Sequence, residues 1–171
     1  MAVTAALRKK REQTVREHME TENTHDFDAT LETFDHPRYE LIATEEVIDG
    51  STDVARYYEE TRKAFPDQRN ELVELHHADD AVIVEFDLLG THKGSFRGLP
   101  PTGRSYKCRM TAIFVFEEDR LVCERVYFDS ATILRQLGIA HDPLSLRGRL
   151  ATVANHPVTI ARALVRSIVS R

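Results

Sequence analysis

The residues of this chain best suited to proton chemistry are few, and the leading one is Glu124. It stands in the run Leu121-Val122-Cys123-Glu124-Arg125-Val126-Tyr127-Phe128, which reads as a strand, so alternate side chains face opposite sides. Val122, Glu124, Val126 and Phe128 share one face, while Leu121, Cys123, Arg125, Tyr127 and Asp129 share the other. The first set is the more apolar and is therefore expected to face a cavity, which places one carboxylate among hydrocarbon side chains. Burial of that kind raises a carboxyl pKa toward neutrality, where a general acid or base works. The bland alternative is a structural ion pair between Glu124 and Arg109 or Arg125.

Other polar side chains qualify as substrate contacts rather than catalysts. His92, in a glycine-rich connection, either donates to a substrate oxygen or ties the loop together. His36 and Tyr39 are candidates for a pocket mouth, with a turn role open for His36, and Arg109 is a further candidate contact. Tyr57 and Tyr58 are adjacent on a helix, so only one is expected to point inward; Tyr58 is taken as that one. With Val126 and Phe128 these complete the expected binding set. His76 and His77 point to opposite faces if on a strand, and no helical H-x-x-x-H or Cys/His spacing occurs, so no metal site is expected. No P-loop, dinucleotide fingerprint or G-x-S-x-G elbow is present either. The expected chemistry is cofactor-free acid/base work on a small, largely apolar molecule with an acidic C–H, an ester or an epoxide.

The elements that must hold these groups follow from periodicity. Residues 12–34 read as helix with a break near Asn23 to Asp26, and Pro37 ends that structure. Tyr39 to Ile48 reads as one irregular strand stopping at Asp49-Gly50. A helix from Ser51 or Thr52 carries Val54, Tyr57, Tyr58, Thr61 and Phe65 and closes at Pro66. From Arg69 the period becomes twofold: Val82, Val84, Phe86 and Leu88 alternate with Ile83, Glu85, Asp87 and Leu89. Tyr106 to Phe116 and Leu121 to Phe128 give two more strands around Glu117-Glu118-Asp119. Helices followed by a meander imply an α+β cone, a curved antiparallel sheet wrapped around the N-terminal helices.

At 171 residues, one domain with a sizeable core is expected. The formal charge of −5 divides into +4 on residues 138–171 and −9 on the rest, and an acidic body argues against nucleic acid as partner. No apolar run of membrane-spanning length and no secretory leader is visible, so the cytoplasm is the expected location. Cys108 and Cys123 read as two buried thiols rather than a bridge.

The stretch from Gly90 to Arg104 holds four glycines and two prolines in fifteen residues. As Gly90-Thr91-His92-Lys93-Gly94-Ser95-Phe96-Arg97-Gly98-Leu99-Pro100-Pro101-Thr102-Gly103-Arg104 it resembles a hairpin of the SnoaL-like polyketide cyclase or ester cyclase proteins, a branch of the NTF2-like superfamily. Glu124 to Asp129, with Leu134-Arg135-Gln136-Leu137-Gly138, is similar to the last strand and closing helix of that family, and His36 to Glu40 and Ala64 to Asp67 extend the likeness. The resemblance implies an NTF2-like cone over residues 1–140 and a small-molecule cyclase, isomerase or hydrolase. It also allows a non-catalytic, dimeric binding module. It aligns the family's acid/base aspartate with Val126 and its partner histidine with Ala112, both apolar, so proton-transfer groups would have moved. Asp129 matches the residue that opens the closing helix and is expected to cap it.

Beyond that resemblance, residues 141–171 form a basic extension. Val158, Ala161, Leu164, Val165, Ile168 and Val169 recur at helical intervals beside Arg162 and Arg166. A stripe of this kind is expected to pack on the domain or on a dimer partner, with membrane attachment the less favoured alternative. A homodimer is also expected from an outward apolar face carrying Thr111, Ile113 and Val115.

Overall fold

The computed structural model describes residues 3–169. Helix α1 (Ala5–Thr24) is capped by the Thr4 hydroxyl and ends at His25 in the left-handed region; α2 (Phe27–Glu32) follows under an Asp26 cap. Strands β1 (Arg38–Leu41) and β2 (Glu46–Asp49) flank a 3₁₀ turn and lead into α3 (Ser51–Ala64). Four long strands follow, β3 (Arg69–His77), β4 (Ala81–Thr91), β5 (Ser105–Glu117) and β6 (Arg120–Tyr127), then α4 (Ser130–Gln136), α5 (Leu146–Asn155) and α6 (Pro157–Val169). The six strands form one sheet in the order β2-β1-β6-β5-β4-β3.

The helices-then-meander reading holds, with three corrections. The sheet is mixed, because β1 runs parallel to β6, with Tyr39 opposite Glu124. The stretch from Tyr39 to Ile48 is a hairpin, not one strand, since Ile42–Thr44 coils into a 3₁₀ turn. Finally, α1 starts at Ala5 and takes in the basic cluster before residue 12.

A register shift also changes the facing of β6. Phe116 pairs with Leu121 but Val115 with Cys123, leaving Val122 as the extra residue of a bulge. Parity therefore inverts there: Leu121 joins the core and Val122 drops out of the inward set, which retains Glu124 and Val126.

Two devices fasten the helices to the sheet. Buried Arg11 of α1 donates to the carbonyls of Glu118 (2.7 Å) and Asp79 (2.9 Å), the two hairpin turns at one end of the sheet. At the other end of α1, the Asn23 amide donates to the Asn70 carbonyl (2.9 Å) and accepts from its N–H (2.7 Å). The glycine-rich connection folds back on the end of α3, where Lys93 and Gly94 both donate their N–H to the Ala64 carbonyl. It turns tightly at Arg97 and Gly98, both at positive φ. This fold-back brings Phe96 and Leu99 over the concave side of the sheet.

At the closing helix, Asp129 caps α4 as expected, accepting from Ala131 N–H at 2.9 Å. Gln136 then bonds both backbone groups of Lys107 (2.9 and 2.8 Å), fixing α4 against β5. Beyond it the tail stands apart. Gly148 is the only residue of α5 and α6 that is buried, and Leu146, Leu150, Leu164, Val165 and Ile168 are exposed in the single chain. Cys108 and Cys123 are both buried free thiols, on β5 and β6.

Gly94 has no room for a side chain, because a Cβ there would lie 2.1 Å from the Lys63 carbonyl oxygen. Gly94→Ala should therefore lift the hairpin off α3 and cost about 2 kcal/mol or more in urea unfolding. A stability unchanged from wild type would show that the docking is not tight.

Candidate active site

The concave side of the sheet encloses a cavity of about 340 Å³. Tyr39 and Leu41 of β1, Phe86 and Leu88 of β4, Tyr106 and Met110 of β5, and Glu124 and Val126 of β6 form its sheet wall. Tyr57, Tyr58, Thr61 and Arg62 come from α3, Phe96 and Leu99 from the glycine-rich hairpin, and Ile133 and Leu134 from α4. The wall is mostly hydrocarbon and aromatic, so a polar group in it is poorly hydrated.

Glu124 is one such group. It is 5% exposed, and its Oε2 lies 3.2 Å from Nε2 of His18, which is fully buried. His18 comes from the inward face of α1, together with Arg11, Val15 and Met19. Its Nδ1 meets the Thr33 hydroxyl at 2.7 Å, and that hydroxyl donates its own hydrogen to the Thr30 carbonyl, also at 2.7 Å. Thr33 is thus left to accept, which puts a hydrogen on Nδ1 and makes Nε2 the atom that gains or loses a proton. Around Nε2 stand the Tyr39 hydroxyl at 2.8 Å and Glu124. Tyr39 in turn bonds the Tyr58 hydroxyl at 2.5 Å. Oε2 of Glu124 is buried with His18 Nε2 beside it, so a proton on this oxygen is within reach of the imidazole.

The electrostatics fit a pair that shares a proton. Burial pushes the Glu124 carboxyl above its ordinary value, more than contact with His18 pulls it down. Burial acts to lower His18, yet the hydrogen bond and charge of Glu124, with the charge of Glu22, carry it up. Burial likewise raises the Tyr39 and Tyr58 hydroxyls, which stay neutral donors.

Of the residues singled out from sequence, Glu124, Tyr39, Tyr58, Val126 and Phe128 meet at this cavity. Three others do not. His36 is exposed on the outside, just before β1, 2.7 Å from Asp49 at the end of β2. Arg109 lies on the outer face of β5, where it donates to Asp87 (2.6 and 3.2 Å) and pairs with Glu85. With Lys107 it holds the Asp87 carboxyl down at about 2. His92 is fully buried inside its own hairpin, its Nδ1 accepting from Thr102 N–H at 3.3 Å and its ring stacked on Phe65. The ion-pair alternative for Glu124 also changes partner, since Arg109 faces outward and Arg125 binds Glu40 at 2.8 Å. Tyr57 and Tyr58 both reach the cavity, because its lining wraps around α3 rather than touching one stripe of it. The sequence reading missed His18, Glu22 and Arg62. The signal was available for the first two, which fall on the Arg11, Val15, Met19 stripe at helical intervals.

Residues 12–137 match the SnoaL-like polyketide cyclase family. The chain belongs to that family. Solved structures with the same fold include AclR from Streptomyces galilaeus (21% identity, TM-score 0.68, covering 78% of this chain and 88% of that one). TsrD from Streptomyces laurentii aligns at 20% identity and TM-score 0.67, covering 80% and 98% of the two chains. IdmH from Streptomyces antibioticus aligns at 25% identity and TM-score 0.63, covering 75% and 98%. A comparison with curated protein sequences finds no match. Within this SnoaL-like domain Ala112 and Val126 lie opposite each other across β5 and β6; two pairs along the ladder, Phe114 faces Glu124. Among the described residues no cluster of His, Cys, Asp or Glu is arranged to hold a metal ion. No helix among them is long and apolar enough to cross a membrane.

The raised values of Glu124 and His18 set the sign of a pH effect. Both groups hold their protons more firmly folded than unfolded, so their contribution to stability is complete below the ordinary values, about 4.3 and 6.5. It is lost as pH rises through the folded values. Urea unfolding between about pH 5 and pH 9 should therefore show wild type losing stability relative to a His18→Gln, Glu124→Gln double variant. A difference that stays flat or grows with pH would contradict the shared proton.

Proposed function

We propose that this SnoaL-like protein is a cofactor-free acid/base enzyme in which Glu124 removes and returns a proton on a small, largely apolar organic substrate. The observation that carries this reading is the Glu124 carboxyl, buried in the wall of an apolar cavity with His18 Nε2 3.2 Å behind it. In the resting pair one proton is shared between Nε2 of His18 and Glu124. Glu124, in the wall of the cavity, accepts the proton of an activated C–H or delivers one to a leaving oxygen. His18 does not line the cavity and acts as a positioning residue, stabilising whichever protonation state Glu124 leaves. The neutral hydroxyls of Tyr39 and Tyr58 supply hydrogen bonds to an enolate or alkoxide as charge develops. Such chemistry covers isomerisation, aldol-type ring closure and ester or lactone opening.

A non-catalytic ligand carrier is the second reading, favoured by the apolar Val126 and Ala112 at the family's acid/base positions. The protein is further read as a cytoplasmic homodimer. The exposed apolar side chains of α5 and α6 are then covered by the second copy, and neither nucleic acid nor membrane is a partner.

Solvent deuterium exchange into a panel of apolar β-keto esters and lactones distinguishes catalyst from carrier. Wild type should accelerate exchange, and Glu124→Gln, which keeps shape but cannot take a proton, should lower the rate about 100-fold or more with ligand affinity nearly unchanged. Equal rates for the two proteins would remove Glu124 from the chemistry, and binding without any acceleration would favour the carrier.

A further inference from the structure

A second polar feature of the cavity is not used by proton transfer. Arg62 of α3 forms part of the wall, and its Nη2 donates to the Glu22 backbone carbonyl at 3.3 Å. Its Nε and Nη1 are buried and have no hydrogen-bond partner, and among the described residues it makes no ion pair. The guanidinium lies against the face of Phe27, 5.4 Å from the ring centre, and Phe27 is itself stacked on Tyr58 at 4.7 Å. Flat support of this kind orients the guanidinium but satisfies none of its donors.

The neighbouring charges do not cancel it. Arg97, the other arginine of the wall, is engaged by both carboxylate oxygens of Glu46. Glu22 directs its carboxylate to Asn70, whose Nδ2 donates to Oε2 at 2.5 Å, and toward the Tyr39 hydroxyl at 3.5 Å. Its negative charge opposes an incoming anion in part, and Asn70 offsets some of that. What remains is a half-buried cation, two of whose nitrogens are buried without an acceptor, in the wall of a largely apolar cavity. Leaving such donors unpaired is costly, and the cost is recovered when an acceptor arrives.

We propose that the ligand of this cavity carries a carboxylate, which binds the guanidinium of Arg62 while its apolar body fills the aromatic wall. Nε–H and Nη1–H lie on different edges of the guanidinium, so a carboxylate takes one of them with one oxygen and the remaining N–H of Nη2 with the other. The path from Arg62 through Glu22 and Tyr39 leads to His18 and Glu124, so the anion is held at one end and the reacting carbon lies toward Glu124. The proposal rests on the cavity being a ligand site and adds to the substrate class a carboxylate on the apolar body.

Binding of 2-naphthoate and its neutral isostere 2-naphthamide, followed by amide and arginine Nε–H NMR shifts, tests this. In wild type the naphthoate should bind about tenfold or more tightly than the amide and shift the Arg62 Nε–H resonance, which the amide should leave in place. Arg62→Gln should abolish the preference while keeping naphthamide affinity within about twofold, and Arg62→Lys should retain part of it. The wild-type comparison stands even if a variant folds poorly. Equal affinities in wild type, or a preference that survives in Arg62→Gln, would overturn the role of Arg62 and leave proton transfer by Glu124 intact. No binding of either compound would overturn both the carboxylate site and the ligand cavity.

Discussion

The arrangement depends on one electrostatic constraint: a carboxyl group on β6 is enclosed by hydrocarbon and must be balanced from inside the fold. A lone buried carboxylate would be neutralised or would cost several kcal/mol, so its partner has to be buried with it. That partner is His18, and bringing it within 3.2 Å requires α1 to lie across the concave face of the sheet. Arg11 at one end of that helix and Asn23 near the other hold it there through backbone carbonyls and an N–H of the turns and edge strand. Thr33 completes the arrangement by fixing which imidazole nitrogen faces Glu124. The burial that makes the pair costly also raises the carboxyl above its ordinary value.

The position of this pair bears on membership in the SnoaL-like family. Val126 and Ala112 face each other on neighbouring strands and carry only apolar groups. Glu124 shares the inward face of β6 with Val126, two residues away, and the imidazole enters from a helix rather than from β5.

Most of the fold was legible because its signals are local. The switch from helical to twofold period at Arg69, the prolines at 37 and 66, and the glycines between 90 and 104 each act within a few residues. The β6 bulge was not, since an extra residue in a strand is defined by its partner's register and leaves no periodic mark of its own. Parity therefore served for Glu124, Val126 and Phe128, on one side of the bulge, and failed for Leu121 and Val122. His18 escaped a reading that counted only apolar positions along α1, although it lies on the buried stripe. Arg109 and His36 were drawn to the site by residue type alone, and cross-strand and turn partners, Asp87 and Asp49, claim them instead. Arg62 lies beside Thr61 on α3 and reaches the cavity because the hairpin closes over that helix, a tertiary contact that helical spacing does not express.

The central claim is that Glu124 and His18 form one buried, proton-sharing pair, and carbon-13 NMR titration of the Glu124 carboxyl carbon and the His18 ring tests it most directly. The account expects both resonances to move together, with Glu124 titrating above the ordinary glutamate value and His18 above the ordinary histidine value. A Glu124 carboxyl that titrates at or below the usual glutamate value, independently of His18, would contradict it.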